Sequence, residues 1–367
     1  MPFDLDTTGS CRTPPRDRAV AVWLFVMCGM LLVMVSLGGA TRLTGSGLSI
    51  MEWAPLRGFL PPLSDSEWQR VYALYRDIPQ YALINHGFGL EGFKGIFWLE
   101  WTHRLWGRLI GIAFAVPLAW FAWRGALNRT LVLRLLGLLA LGGLQGAVGW
   151  FMVASGFAAD STAVSAYRLV IHLVLALSLY SAIFWMALSL WRQNAPRPEN
   201  VASGLRRLTQ GCSAALALTI VAGGFVAGLK AGLTYNSFPL MDGHLVPDGY
   251  AALHPLWRNL TENIAAVQFD HRVLATMTAV LVIVTVARGL SRRTTGPLRG
   301  SLWVLGALVI LQYVLGVTTL LWVVPIALGT AHQAVAVLLL SAALSALHAQ
   351  RAPRPMVTTR FAFVERS

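Results

Sequence analysis

The sequence predicts an all-α polytopic membrane protein whose eight transmembrane helices form two pseudo-symmetric four-helix bundles. Three observations predict it. The 367 residues are 56 % hydrophobic and only 12 % charged, about half the charge of a soluble domain. Several apolar runs reach the roughly 20 residues that cross a bilayer. The second half of the chain also echoes the first, as an internal duplication would.

The elements follow in order. Residues 1–18 mix Asp4, Asp6 and Asp17 with Arg12, Arg16 and Arg18, too short and too acidic a stretch for an organelle transit peptide. The first apolar run, 19–39, is long for a signal-peptide core and reads as a retained helix of a bacterial inner-membrane protein. Further spans lie near 105–124, 131–153, 168–191, 208–229, 271–288, 301–322 and 325–348. They must be helices, because backbone groups in lipid have to bond internally.

Short loops orient the spans. Arg124, Arg129 and Arg134 flank the second connection, Arg192, Arg197, Arg206 and Arg207 the fourth, and Arg288, Arg292, Arg293 and Arg299 the sixth. The C-terminal tail carries Arg351, Arg354, Arg360 and Arg366. The positive-inside rule then places both termini in the cytoplasm and the long connections 40–104 and 230–270 outside. The expected organisation is a cytoplasmic tail (1–18), an N-terminal bundle (19–191), a cytoplasmic linker (192–207), a C-terminal bundle (208–348) and a second tail (349–367).

The net charge of +13 belongs to these loops. No aromatic-basic stripe accompanies it, so no nucleic-acid partner is expected. Cys11, Cys28 and Cys212 are not at metal-ligand spacing and give no disulfide framework.

The repeat is read residue by residue. Gly38-Gly39 with Gly47-Leu48-Ser49 matches Gly223-Gly224 with Gly232-Leu233-Thr234, at a constant offset of 185. His103-Arg104 matches His271-Arg272, Gln145 and Gly149 match Gln312 and Gly316, and His172 matches His332. Both halves start inside, so the repeat is parallel, about an axis along the membrane normal, and each half suits a four-helix bundle.

Eight histidines occur. His348 is expected to be solvated at the cytoplasmic end of the last helix, and His86, His244 and His254 fall in outer loops. His103, His172, His271 and His332 sit near the outer ends of even-numbered helices, two per bundle and at similar depth. One histidine in a membrane helix ordinarily hydrogen-bonds a neighbour. Two matched pairs of costly polar groups point to function, and two facing imidazoles can supply both axial ligands of a haem iron. Zinc would need three or four ligands. Arg104 and Arg272 each follow a ligand histidine; they either pair with haem propionates or snorkel to headgroups.

The halves differ at one position. Glu100 stands three residues before His103, and Gln268 stands three before His271. That spacing puts both side chains on one helix face. A carboxylate there can shuttle protons and a glutamine cannot. The N-terminal bundle is therefore expected to do chemistry, with the C-terminal bundle holding a spectator or relay haem. The alternative places Glu100 at the water interface, paired with Arg104 or Lys94. Trp98, Trp101, Trp106 and Trp150 read mostly as an interfacial belt.

These residues resemble a known family. Asn85-His86, Glu91-Gly92-Phe93-Lys94 and Glu100 through Arg108 (EWTHRLWGR) are similar to the first outer loop and second helix of haem A synthases. The resemblance continues in Tyr167-Arg168-Leu169 with His172, in Lys230–Gly243 (KAGLTYNSFPLMDG) and in Asn259–Arg272 (NLTENIAAVQFDHR). It ends with Val324-Pro325 and Ala331-His332-Gln333. It spans nearly the whole chain, and it is to the mitochondrial and alphaproteobacterial branch, which lacks the outer-loop cysteine pair. Ala166 departs from the proline common before the tyrosine.

The resemblance implies successive hydroxylations that turn the C8 methyl of haem O into the formyl of haem A, for cytochrome oxidase. It implies that His271 and His332 ligate a haem b, that His103 and His172 hold substrate haem O or product haem A, and that Glu100 is the catalytic carboxylate. The prenylated substrate would enter sideways from the lipid bilayer. Haem O synthase is the implied partner; the electron donor is unknown and homo-oligomerisation is left open. The rival readings are a bis-histidine cytochrome that only transfers electrons and, last, a transporter, for which no helix broken at mid-membrane is evident.

Overall fold

A computed structural model describes residues 15–54, 57–159, 161–193, 203–292 and 294–351. Most of both tails and of the central linker, with Cys11 and the arginines at 12, 197, 293, 354, 360 and 366, lies outside the described residues. Eleven α-helices follow in order. They are α1 (Pro15–Leu43), α2 (Asp65–Arg76), α3 (Pro79–Leu83), α4 (Leu90–Trp123), α5 (Arg129–Ala154), α6 (Ala166–Trp191), α7 (Ser203–Gly228), α8 (Asn259–Glu262), α9 (Ile264–Ser291), α10 (Gly296–Leu321) and α11 (Ile326–Ala349). Eight of them, all but α2, α3 and α8, are long and apolar enough to cross a membrane. Among the described residues, β structure is confined to one bridge between Met241 and His244. The protein is an all-helical multi-pass membrane protein.

The expected spans fall on these helices, with one large displacement. α4 begins at Leu90, well before the span expected from 105. The stretch 90–104 looks too polar to cross a membrane because it holds Glu91, Lys94, Glu100 and Arg104, yet these pair with one another along the helix. Lys94 reaches Glu91 at 2.7 Å and Arg104 reaches Glu100 at 2.6 Å. The charges are neutralised at helical spacing, so the helix continues above the apolar span. His103 thus sits well inside a helix and not at its end.

The first long connection, between α1 and α4, also folds. Ser64 caps α2 by accepting from Glu67 N, while the Glu67 carboxylate accepts from Leu63 N at 2.8 Å, a reciprocal cap. Trp68 and Tyr75 of α2 pack with Ile78, Phe93, Phe97 and Leu48 into a small apolar cluster separate from the membrane core. Elsewhere Asn128 caps α5, and Asn263 caps α9 by accepting from Ala265 N and Ala266 N.

Between the halves, α1 packs on α11, and α6 packs on α7 and α11. Gly39 receives the Gln333 side chain, and a Cβ on Gly224 would stand 3.0 Å from Val170 and 3.3 Å from Leu173. Arg42 of α1 donates to the Ala227 carbonyl of α7 at 3.0 Å.

His348 corrects an expectation. It is 6 % exposed, not solvated. Its ring stands edge-on to Trp185, 5.1 Å between centroids, and Ser189 and Arg351 lie within hydrogen-bonding reach. The closing turn of α11 rests on α6, which covers the ring.

Candidate functional site

His172, His271 and His332 lie near the N-terminal ends of α6, α9 and α11, and His103 lies well inside α4. Each ring rests on a glycine of the preceding long helix. A Cβ on Gly38 would come 3.1 Å from His103 Nε2, and one on Gly149 2.8 Å from His172 Cε1. One on Gly223 would come 3.0 Å from His271 Cε1, and one on Gly316 2.9 Å from His332 Cε1. Any side chain at these positions would push the imidazole away, so the backbone itself forms the seat. The repeat pairs Gly38 with Gly223 and Gly149 with Gly316; the sequence showed the glycines but not what rests on them.

The helices that carry the rings share a neighbour within each half: α5 packs on α4 and α6, and α10 packs on α9 and α11. Gln145, one turn before Gly149, lies 3.1 Å from His172 Nδ1 through its amide nitrogen and also donates to the His172 carbonyl at 3.0 Å. Gln312, one turn before Gly316, lies 3.3 Å from His332 Nε2. Neither glutamine was assigned a role from sequence, although both belong to the repeat.

Several buried polar atoms of these rings and their glutamines have no partner: Nδ1 of His271 and His332, and Oε1 of Gln145 and Gln312. Leaving such an atom unmade costs about 1–3 kcal/mol, and in folded proteins it points to a missing ligand or a functional site. Among the described residues no cluster of three or more His, Cys, Asp or Glu side chains could hold a metal ion. Two imidazoles with no third ligand suit haem iron, whose other four positions are porphyrin nitrogens. The glycine seats and open ring nitrogens fit that group. A cavity of about 620 Å³ lies elsewhere, at the opposite end of the helices, lined by Phe184, Arg192, Val304 and Ser345, and it holds none of the four histidines.

Glu100 is 2 % exposed. Its Oε2 accepts from Ser49 N at 2.7 Å, Ser49 Oγ at 2.6 Å and Ile50 N at 2.9 Å. Its Oε1 accepts from Arg104 Nε at 3.0 Å and Nη2 at 2.6 Å. Arg104 in turn donates to the carbonyls of Ile50 at 2.7 Å and Glu52 at 3.0 Å. Gln268, also 2 % exposed, gives its amide hydrogens to the carbonyls of Ala231 at 2.9 Å and Thr234 at 2.6 Å. Arg272 donates to Gln268 Oε1 at 3.1 Å and to the carbonyls of Tyr235 and Ser237. Both arginines therefore hold carbonyls of the long connections, and Lys94 pairs with Glu91. Trp106 donates to the Met30 carbonyl at 2.8 Å, and Trp150 stacks on Trp53 at 6.1 Å and 13°.

The chain matches the model of the COX15-CtaA family, described as cytochrome oxidase assembly protein, over residues 21–344. It is 59 % identical to haem A synthase of Granulibacter bethesdensis, over 90 % of this chain and 87 % of that one. It is 46 % identical to haem A synthase of Nitrosospira multiformis, over 91 % of this chain and 94 % of that one. It is also 46 % identical to haem A synthase 2 of Acidiphilium cryptum, over 90 % and 91 %.

Proposed function

The chain belongs to the COX15-CtaA family of cytochrome oxidase assembly proteins, and from that premise we propose that it is a haem A synthase, oxidising the C8 methyl of haem O to the formyl of haem A. The observation that carries the reading is the joint one: two histidine pairs, each ring seated on a backbone glycine, in a chain whose relatives of that name match it almost end to end.

His271 and His332 would hold haem b in the C-terminal half, and His103 and His172 the substrate or product haem in the N-terminal half. Haem b, when bound, supplies electron transfer. The residues of the chain do the rest. The glycines let the imidazoles approach, and Gln145 and Gln312 orient His172 and His332, as outer partners of a ligand histidine do. Arg104 and Arg272, adjacent to ligand histidines, hold the loop carbonyls, and in this reading they do so beside the carboxylate edges of the haem groups. Glu100 belongs to the N-terminal site by its place one turn before His103. The membrane is read as the bacterial inner membrane, with both termini cytoplasmic and the histidines near the outer face. Haem O synthase is the proposed source of substrate.

Haem extraction and chromatography test this, from protein expressed alone and together with haem O synthase. Haem b in both samples, with haem O and haem A added on co-expression, is the expected result. Haem b alone in both, with haem O supply verified, would make the chain an electron-transfer cytochrome.

A further inference from the structure

We infer that Glu100 serves the reaction as a positioning residue: with Arg104 it fastens the segment Ser49–Glu52 over the histidine end of the N-terminal half, and it does not itself carry the proton. The inference rests on the proposed activity and assigns Glu100 a role other than the proton transfer expected from sequence.

The first ground is saturation. A carboxylate has about four lone-pair positions, and the Glu100 oxygens receive five donor contacts from Ser49, Ile50 and Arg104. With the side chain 2 % exposed, its acceptor capacity is spent on this segment and on Arg104.

The second ground is the other half of the molecule. Ser49, Ile50 and Glu52 correspond to Thr234, Tyr235 and Ser237 at the 185-residue offset of the repeat. Arg104 holds the carbonyls of Ile50 and Glu52, and Arg272 holds those of Tyr235 and Ser237. The residue one turn before each arginine completes the latch with whatever hydrogen-bonding sense the loop presents. At Ser49 and Ile50 the loop presents N–H and O–H groups, which need an acceptor. At Ala231 and Thr234 it presents carbonyls, which need a donor. Glutamate in one half and glutamine in the other follow from that polarity, without proton chemistry.

The third ground is reach. The segment held by Glu100 continues into Trp53, whose ring stacks on Trp150, and Arg104 lies 5.5 Å over the same ring. Trp150 follows Gly149, the seat of His172. The latch thus joins the helix of His103 to the residue beside the seat of its partner. A displacement of about 1 Å at such a site costs on the order of a hundredfold in rate.

The test uses the full chain with haem b bound and compares Glu100→Gln, Arg104→Gln, the double variant and the milder Ser49→Ala. Three readouts are taken: the rate of haem A formation across pH, deuterium exchange of peptides containing the Ser49 and Ile50 amides, and haem b content as the check on folding. Each of the first two variants should slow haem A formation about tenfold or more, by one factor at every pH, and the double variant should be no slower than the slower single, as for residues acting as a unit. Exchange at Ser49 and Ile50 should rise with each loss. If either variant fails to retain haem b, Ser49→Ala decides, with a smaller loss and faster exchange expected. The inference is overturned if Glu100→Gln stops the reaction while those amides stay protected, or if its pH profile changes shape. Arg104→Gln reacting at the normal rate, multiplying losses in the double variant, or Ser49→Ala unchanged in both readouts would overturn it equally.

Discussion

In the N-terminal half a carboxylate receives the amide hydrogens of Ser49 and Ile50; in the C-terminal half an amide gives its hydrogens to the carbonyls of Ala231 and Thr234. The arginines beside them act alike. The halves differ in packing as well. α5 buries Leu135 alone, whereas its counterpart α10 buries Leu298, Ser301, Leu302, Leu305, Val309 and Thr319. α10 also lies against α11 more extensively than α5 lies against α6. The helix carrying the His332 seat is thus better covered than the helix carrying the His172 seat, although most of its buried side chains lie toward the end away from Gly316. On the reading proposed above, the barer helix is the one beside the substrate haem.

The sharpest way to break this contrast is to remove one histidine at a time. His271→Ala or His332→Ala should abolish both retained haem b and haem A formation. His103→Ala or His172→Ala should abolish haem A formation while haem b content stays near normal. Haem chromatograms of the purified variants read both quantities, and loss of haem b from a His103 variant would erase the division of labour.

A smaller effect is expected at the seats. Gly149→Val places a branched side chain where a Cβ already stands 2.8 Å from His172, and Gly316→Val does the same 2.9 Å from His332. Ring displacement of this kind costs about 1–3 kcal/mol, or roughly tenfold or more in haem retention. The first variant should lose substrate haem and the second haem b, measured by titration against the absorbance of the bound haem. Equal losses of both haems in either variant would show that the halves do not act separately.

The smallest effect lies in the connection between α1 and α4. Arg70 donates to both Glu52 oxygens, at 2.9 and 3.0 Å, and these hydrogen bonds, more than the charge attraction, hold the Glu52 carboxyl below its usual range. The counterpart position, Ser237, has no such group. A carboxyl lowered in the folded state adds stability above its unfolded value, and that stability is lost as pH falls through the folded one. Both side chains are about half exposed, so the contribution is about 0.2–1 kcal/mol. Arg70→Gln should lower the melting temperature slightly at neutral pH and not at all near pH 3, where acid has already removed the pair. A difference that persists in acid would place the effect outside this pair.

The sequence made the membrane spans legible because apolar length is a property of consecutive residues. It made the histidine pairs legible because duplication printed them twice. The early start of α4 was hidden: averaging over Glu91, Lys94, Glu100 and Arg104 treats paired charges as free ones. α2 was hidden too, although Ser64 and Glu67 spell its cap. The burial of His348 depends on Trp185 and Ser189, far away in sequence. The latch was the least legible part. Glu100 and Gln268 were visible as a difference, but the sense of the difference depends on whether a loop turns its N–H groups or its carbonyls toward the helix, and side-chain identity does not encode that.

Arg42 and Ala227 stand at the same position of the duplicated sequence, 185 residues apart, and touch one another. In a symmetric dimer of identical half-length chains, a position on the axis meets its own copy. Arginine there would oppose arginine, and alanine would leave the carbonyl opposite it without this donor. Two identical surfaces could not make this contact with themselves, so it exists only because the two halves differ at this position, a cation in one and a small residue in the other.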